Sequence, residues 1–337
     1  MYGGMTEKDF ENILQEKPTK LYYKFNEFDY IKENKKRILS GIKQLDYLIK
    51  GFELGCITIW TGLTNNGKTT MLTMIAKETI KQREKVFFFN GEQTKDDFKN
   101  NIYKQSVESE KIYFKQYKDT NILDFFVKDD ELIKLDKVYG ENLIVYNNDI
   151  NRDIDTLLLA MYEAHTKEKV NVFILDNFMQ IDMKSDNVYQ EQTSVMEKLR
   201  TFAVNENVHI HLVAHPRKVE RFTTRLSLYD ISGSGNLSNK AYNIINIMRV
   251  DNINKENNEY KKICEDMFRE RYDIRETSTI LEVLKTKGNK CGLVGLTYDE
   301  TRKTFIEQKQ VLGDNLHLLK SELEIDNKTN KKNKCPF

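Results

Sequence analysis

Residues Gly62-Leu63-Thr64-Asn65-Asn66-Gly67-Lys68-Thr69 form the pattern G-x-x-x-x-G-K-T. The preceding residues 56–60 are apolar and β-branched, which predicts a buried strand, and residues 70–77 have apolar positions at helical spacing. Glycines in such a loop let backbone N–H groups approach phosphate oxygens. Lys68 can then reach the β- and γ-phosphates, and the Thr69 hydroxyl can ligate Mg²⁺. The strand–loop–helix context therefore predicts a nucleoside triphosphate site and disfavours the alternative, a fortuitous glycine-rich turn.

Composition sets the broad class of the protein. The 337 residues are 39% hydrophobic and 31% charged, with a net charge of +1, which suits one large α/β domain with appendages or two small domains. No apolar run is long enough to span a bilayer, and no signal peptide begins the chain. The four cysteines form no C-x-x-C pair, which argues against a zinc module or a disulfide framework. We therefore expect a cytoplasmic protein that makes no membrane contact.

The chain divides into an arm, a core and a tail. Residues 1–37 form a polar arm with one short amphipathic helix, which either folds back onto its own domain or docks on a neighbouring subunit. We expect the core to span residues 38–313, with a charged helical insertion at 251–278. Residues 314–337 form a Lys/Asn-rich tail that we expect to be flexible.

Strands and helices alternate from Ile38 onward. Further strands are predicted at 86–90, 143–146, 172–175, 210–214, 244–248, 280–284 and 293–297. The intervening helices predict an α/β fold with a mainly parallel sheet covered on both faces. The late strands follow one another closely, which predicts an antiparallel edge.

Two acids follow predicted strands. Asp176 ends a buried strand, where a carboxylate can hold Mg²⁺ through water beside Thr69. Glu92 follows the strand at 86–90 and could polarise the water that attacks the γ-phosphate. The alternative for Glu92 is an exposed carboxylate in a turn.

Three histidines lie near one predicted strand. Alternation places His209 and His211 on one face of that strand, where hydrogen-bonded core histidines are expected. His215 follows the strand and could hydrogen-bond the γ-phosphate. Too few further ligands accompany these histidines to form a zinc site.

The segment from His215 to Arg225 carries four strong cations against one acid. Cations with interleaved polar and aromatic groups suit contacts to a phosphate backbone that do not depend on sequence. The alternative is a solvated charged loop.

Six segments carry a resemblance to the ring-shaped replicative helicases of superfamily 4, which include the bacterial DnaB type, the phage primase–helicases and Twinkle. The resemblance covers about residues 38–305. The segments are S-G-I-K-Q-L-D at 40–46, G-F-E-L-G at 51–55, N-G-E at 90–92, L-D-N at 175–177, A-H-P-R-K at 214–218 and D-I-S-G-S-G-N-L at 230–237. The last two are more similar to the phage and Twinkle branch than to the bacterial one.

The resemblance implies a RecA-like P-loop ATPase core and a role for each matching residue. The implied catalytic residues are Lys68, Glu92, His215 and Lys287. The implied nucleotide contacts are Gly62, Asn65, Asn66, Gly67, Lys68, Thr69, Thr70, Lys285 and Tyr298, with Thr69 and Asp176 holding Mg²⁺. The implied DNA contacts are Arg217, Lys218, Arg221, Arg225, Gly233, Ser234 and Gly235.

One position departs from the family pattern. The family usually has Lys-x-Arg where this chain has Lys285 and Lys287. A lysine ammonium cannot make the bidentate hydrogen bonds to two phosphate oxygens that a guanidinium makes. Arg271, Arg275 and Lys290 are nearby alternatives for the residue that reaches the neighbouring subunit's nucleotide.

The resemblance implies an ATP-dependent, Mg²⁺-requiring replicative DNA helicase. We expect it to form a ring, with six subunits as the first expectation, and to act on single-stranded or forked DNA in a bacterial or phage-infected cell. Because no primase module precedes the core, priming would come from a separate chain. The alternatives are a recombinase-like filament and a regulatory or partner-binding ring with slow hydrolysis.

Overall fold

The computed structural model describes residues 22, 24–27, 36–118, 123–183, 187–217, 225–231, 235–252 and 258–311. The strands are β1 (Arg37–Ile38), β2 (Phe52–Glu53), β3 (Ile57–Thr61), β4 (Lys85–Asn90), β5 (Ile112–Gln116), β6 (Leu123–Val127), β7 (Leu143–Val145), β8 (Val170–Asp176), β9 (His209–Val213), β10 (Asn243–Arg249), β11 (Thr279–Thr286), β12 (Gly292–Asp299) and β13 (Thr304–Glu307). The helices are α1 (Lys43–Ile49), α2 (Lys68–Lys81), α3 (Lys95–Ser106), α4 (Asp129–Gly140), α5 (Ile154–Glu168), α6 (Val188–Asn205), α7 (Gly235–Lys240) and α8 (Asn258–Arg269).

A nine-stranded sheet forms the centre of the fold, in the order β13-β12-β11-β10-β3-β9-β8-β4-β7. The six strands from β10 to β7 in this order are parallel, and β10 to β13 pair antiparallel. The predicted parallel sheet with an antiparallel edge is therefore confirmed. Because the ends of parallel strands meet at one edge of a sheet, β3, β4, β8 and β9 deliver their following residues to the same place.

Helices cover both faces of the sheet. On one face α1, α2, α3 and α8 enclose a core that includes Trp60, and on the other α5, α6 and α7 enclose a core that includes Ile59. The apolar stripe of α6 is buried at Val195, Met196, Leu199, Phe202 and Ala203. Burying one such apolar side chain contributes about 1.5–3 kcal/mol before entropy is counted.

The hairpin β5–β6 was not predicted from the sequence, whereas a helical insertion at 251–278 was. The hairpin β5–β6 stands apart from the central sheet, and most of its β5 residues are exposed, so no alternation of buried residues marks it. The insertion contains α8, which buries Ile263 and Met267 against the core. The predicted helix of the arm and the tail at 314–337 lie outside the described residues. Within the described part of the chain, no helix is long and apolar enough to cross a membrane.

Candidate functional site

The phosphate-binding loop connects β3 to α2. Gly67 precedes α2 with φ of +87°, and Asn65 has φ of +64°, so the loop uses left-handed backbone conformations. A Cβ added to Gly62 would lie 2.5 Å from the Ile247 carbonyl oxygen, so this position requires glycine. Because α2 begins at Lys68, its unpaired backbone N–H groups and the positive end of its dipole face the loop.

Two loop side chains hydrogen-bond to backbone carbonyls. Lys68 Nζ donates to the Gly62 and Leu63 carbonyl oxygens at 2.8 and 2.9 Å. Burial lowers the pKa of Lys68, an effect that Asp176 and Glu92 oppose. Asn66 Nδ2 donates to the Ile247 carbonyl oxygen at 2.8 Å and so fastens the loop to β10. The side chain of Asn66 therefore positions the loop, and its backbone N–H donates to the Leu63 carbonyl oxygen at 3.3 Å.

Asp176 ends β8 beside the loop and is 2% exposed. It accepts a hydrogen bond from the Thr69 side chain, whereas its Oδ2 has no hydrogen-bond partner among the described residues. Burial raises the pKa of Asp176 to about 6, with Glu92 adding to the effect and Thr69 and Lys68 opposing it. A buried carboxylate oxygen without a partner, next to a hydroxyl, fits the oxygen ligands that Mg²⁺ prefers.

Glu92, Asn177 and His215 form one hydrogen-bonded group. The Asn177 amide donates to Glu92 Oε1 and lies 3.0 Å from His215 Nε2, which is 3.7 Å from Glu92 Oε1. The orientation of this amide is fixed because Asn177 Oδ1 accepts the backbone N–H of Met179 at 2.8 Å. Burial and the nearby Lys68 lower the pKa of His215, although Glu92 opposes them, so the imidazole is neutral at pH 7.

Asn177 was missed as a functional residue, although it follows Asp176 in the L-D-N segment. Its side chain is almost fully buried and makes the connection between Glu92 and His215. A polar residue directly after a strand that ends in a functional acid was the available signal. The adjacency of β4, β8 and β9 was also needed, because it brings the three residues together.

A cavity of about 450 Å³ adjoins the phosphate-binding loop. Its residues are Thr64, Asn65, Asn66, Gly67, Lys68, Thr69, Thr70, Glu92, Gln93, Asp176, His215, Arg249, Thr279, Tyr298 and Phe305. The volume is within the usual range for small-molecule sites. Tyr298 lies in the wall, where it can contact a base. Arg249, Thr279 and Phe305 also line this wall and were not anticipated from the sequence.

The predicted DNA-binding segment begins at the nucleotide site. His215 belongs to the Glu92–Asn177–His215 group, and the next residue, Pro216, forms a β-bridge with Ile231. The Arg217 N–H donates to the Asp230 carbonyl oxygen at 2.6 Å, so the two flanks of the segment are paired. Lys218, Arg221, Gly233 and Ser234 lie outside the described residues, and Gly235 begins α7.

Arg225, a predicted DNA contact, forms ion pairs with two carboxylates of its own chain. Its Nη1 donates to Asp266 Oδ2 at 2.6 Å, and its Nε and Nη2 donate to Glu282 Oε1 at 2.8 and 2.6 Å. The guanidinium charge is thus already matched by two carboxylates. A phosphate contact of Arg225 would have to compete with these two acids, so we propose a different role for Arg225 below.

Lys285 and Lys287 lie far from the cavity of their own chain. The strand β11 runs antiparallel to β10, which pairs Lys285 with Ile244 near the start of β10, whereas the phosphate-binding loop follows the opposite end of neighbouring β3. Lys285 Nζ donates to the Ser238 and Asn239 carbonyl oxygens, and burial, aided by Lys287, lowers the pKa of Lys285. Lys287 is exposed. Contact of either lysine with a nucleotide requires a second subunit.

His209 and His211 are core residues, as predicted. His209 Nδ1 contacts the Glu53 carbonyl oxygen at 2.7 Å, and Trp60 Nε1 donates to His211 Nδ1 at 3.2 Å. Burial lowers the pKa of His209 to about 4 and that of His211 well below its usual value. Both histidines are therefore neutral, and the ring of Phe52 packs against them.

The fold and the site together define a P-loop nucleotide-binding protein with a RecA-like core. Residues 38–307 match the model of the DnaB-like helicase C-terminal domain, and the chain belongs to this family. The resemblance to DnaB-type replicative helicases is thereby confirmed.

Solved structures share the fold. One solved ATPase domain is 16% identical, with a TM-score of 0.62 over 83% of this chain and 94% of that chain. A DnaB-like replicative helicase, described with its interactions with primase, is 15% identical. Its TM-score is 0.62, and the match covers 91% of this chain and 67% of that chain. The KaiC-like protein PH0186 from Pyrococcus horikoshii OT3 is 14% identical, with a TM-score of 0.54 over 82% and 100%.

Proposed function

We propose that this protein is an ATP-dependent replicative DNA helicase that forms a ring and translocates on single-stranded DNA. One observation carries the proposal. The Asn177 amide joins Glu92, at the nucleotide site, to His215, the residue that precedes the predicted DNA-binding segment. A change at the γ-phosphate can therefore alter the hydrogen bonds of His215 and move the start of that segment.

Six side chains of the cavity have a stated role in this proposal. Lys68 and the backbone N–H groups of the loop bind the phosphates, and Thr69 and Asp176 would hold Mg²⁺, which when bound supplies positive charge to the β- and γ-phosphates. Glu92 accepts the proton of the attacking water. Neutral His215 hydrogen-bonds the γ-phosphate and loses that bond when phosphate leaves. Tyr298 contacts the base.

Single-stranded DNA binds through Arg217, Lys218 and Arg221, together with Gly233, Ser234 and Gly235. The excess of cations and the position of the segment after His215 support this assignment. Contacts of this kind bind the phosphate backbone without reading base sequence. DNA that binds this segment then moves His215, and Asn177 transmits the change to Glu92. DNA binding is thereby linked to ATP hydrolysis.

ATP binds between subunits in the proposed ring, which we take to be a hexamer. Lys287 is exposed at the sheet edge opposite the phosphate-binding loop, and this position favours action on the nucleotide of a neighbouring subunit. In this proposal the protein acts at replication forks in the cytoplasm of a bacterial or phage-infected cell. A separate primase supplies primers in this proposal. A DnaB-like helicase of similar fold, which was described with its interactions with primase, supports this part.

Two measurements separate this function from its rivals. Electron microscopy with single-stranded DNA and a non-hydrolysable ATP analogue should show closed rings, whereas helical filaments would favour a recombinase-like protein. ATP turnover should rise when single-stranded DNA is added. Slow turnover that DNA leaves unchanged would favour a regulatory ring, for which the lysine at position 287 is the supporting feature.

A further inference from the structure

The charged insertion at 251–278 has no part in the proposed function, yet its helix α8 contacts the far end of the DNA-binding segment. The backbone N–H of Arg225 donates to Glu259 Oε1 at 2.7 Å, and its Nη1 donates to Asp266 Oδ2 at 2.6 Å. Both acids belong to α8. The side chains of Arg225 and Asp266 are 22% and 18% exposed, so solvent screens their interaction only in part.

The same arginine contacts the central sheet. Glu282 of β11 accepts from Arg225 Nε and Nη2 through one oxygen, and its side chain is 11% exposed. The planar guanidinium thus bridges a helix of the insertion and a strand of the core, a geometry for which lysine has too few fixed donors.

A row of buried polar residues leads from this contact to the phosphate-binding loop. Glu282 pairs with Asn246 across β11 and β10, and Asn246 pairs with Thr61 across β10 and β3. Directly paired residues place their side chains on the same face of a sheet. Thr61 immediately precedes Gly62, so the row lies on one face of the sheet between the base of the nucleotide site and Arg225. Its members are neighbours in register, and Thr61 Oγ1 and both amide atoms of Asn246 have no hydrogen-bond partner among the described residues.

We infer that Arg225 is a positioning residue that fastens the far end of the DNA-binding segment to α8 and β11. The segment is then held at both ends. The Glu92–Asn177–His215 group holds it at the nucleotide site, and Arg225 holds it on the sheet. Because Arg225 fixes the far end of the segment, DNA that binds the segment displaces its other end, where Glu92 and His215 lie. The insertion thereby couples DNA binding to ATP hydrolysis, an inference that rests on the proposed function.

The variant Asp266→Ala distinguishes this role from a direct DNA contact. If Arg225 fastens the segment, loss of Asp266 weakens the fastening and lowers the stimulation of ATP turnover by DNA. If Arg225 binds DNA, loss of the competing acid raises DNA affinity and leaves stimulation intact. Asp266→Ala keeps the Arg225–Glu282 pair, so it avoids leaving Glu282 buried without its partner. Glu265→Ala is the matched control, because Glu265 is an exposed acid on the same helix.

The experiment measures ATP turnover with and without single-stranded DNA in the full chain. Asp266→Ala should keep its turnover without DNA and lose about fivefold or more of the stimulation, the lower end of typical coupling between sites. Arg225→Ala should lose stimulation to a similar degree, and the double variant should be no worse than either single variant. Glu265→Ala should behave as wild type. Full stimulation with tighter DNA binding in Asp266→Ala would overturn the inference.

Trypsin cleavage provides a second readout that needs no DNA. Mass spectrometry should show faster cleavage after Lys218 and Arg221 in Asp266→Ala than in wild type, and an unchanged rate in Glu265→Ala. If wild type shows no response to DNA but cleavage accelerates in Asp266→Ala, the proposed function fails and the fastening stands. A wild-type cleavage rate in Asp266→Ala overturns the fastening itself.

Discussion

Asp176 carries the largest electrostatic cost at the nucleotide site. It is buried, and Oδ2 accepts no hydrogen bond from the described residues. Its pKa is raised from 3.8 to about 6, so in the absence of a cation the folded protein loses stability as pH rises through this interval. Mg²⁺ held by Asp176, as proposed above, would compensate this charge and would make the binding of metal and nucleotide dependent on pH.

We therefore predict that the gain in ATP affinity from Mg²⁺ shrinks as pH falls below about 6, because protonated Asp176 cannot act as a ligand. The loss should approach about tenfold per pH unit, since one proton competes with the metal. Fluorescent ATP binding, with and without Mg²⁺ from about pH 5 to 8, measures this gain. Asp176→Asn, titrated in parallel, corrects for the titration of the ATP phosphates themselves. A gain in wild type that follows the Asp176→Asn curve would contradict the assignment.

We predict separable roles for Lys68, Asp176 and Glu92 in ATP hydrolysis. Lys68→Ala and Asp176→Ala should abolish turnover while the protein stays folded, because each variant removes charge from the phosphate and metal site. Lys68→Ala should also weaken ATP binding. Steady-state turnover and circular dichroism check these outcomes. Lys81→Ala, at an exposed lysine of the same helix, is the control. Normal turnover in either site variant would refute the site.

Glu92→Gln should retain ATP binding and lose turnover by roughly two orders of magnitude or more, as expected for a lost general base. The amide keeps the size of the side chain, and its oxygen can still accept from Asn177. Single-turnover hydrolysis with a separate binding titration distinguishes the two effects. Normal hydrolysis in Glu92→Gln would place the base elsewhere.

At the scale of elements, the DNA-binding segment is the part whose function depends most on its charge. We predict that neutralising Arg217, Lys218 and Arg221 weakens single-stranded DNA binding and makes its salt dependence shallower. The slope of log affinity against log salt should fall by about 2, because each lost phosphate contact on a single strand removes about 0.7. Turnover without DNA should be largely spared.

Binding titrations at several salt concentrations check this change in slope. The control neutralises Lys137, Lys261 and Lys262, three exposed cations outside the segment, and so changes the net charge equally. Unchanged affinity and slope in the triple variant of the segment would mean that its cations are only solvated.

The elements also show how far the sequence predicts this structure. The buried strands were predictable because their apolar runs have the length and β-branched composition of strands. The hairpin β5–β6 was not, because its β5 residues face solvent and carry no periodic burial. The ion pairs of Arg225 were not predictable, because its partners, Asp266 and Glu282, are 41 and 57 residues away and only the tertiary fold brings them close. The Glu92–Asn177–His215 group likewise depends on strand order, although two of its members were anticipated.

At the scale of the whole molecule, variants of Lys287 test whether ATP binds between subunits, because the sheet topology places Lys287 far from the nucleotide site of its own chain. If Lys287 acts on a neighbour's nucleotide, its loss should impair hydrolysis without preventing assembly. Mixing Lys287→Ala with Glu92→Gln subunits should then restore some turnover, because some interfaces pair an intact Glu92 with an intact Lys287. Lys287→Arg should preserve or raise turnover, since a guanidinium can make two parallel hydrogen bonds to phosphate.

Turnover of the mixed subunits, with size-exclusion chromatography to verify assembly, measures this complementation. Mixtures of Lys285→Ala with Glu92→Gln form a comparison, because Lys285 is already bonded to carbonyl oxygens of α7. Full activity of Lys287→Ala alone, with no complementation, would move the contact to another cation such as Lys290.

The most direct test of the account follows strand separation and phosphate release together on one forked duplex. Wild-type protein with ATP and Mg²⁺ should separate the strands while it releases phosphate. Glu92→Gln should bind the fork in the presence of ATP but do neither. ATP hydrolysis that DNA stimulates without any strand separation, or strand separation that persists in Glu92→Gln, would contradict an ATP-driven helicase.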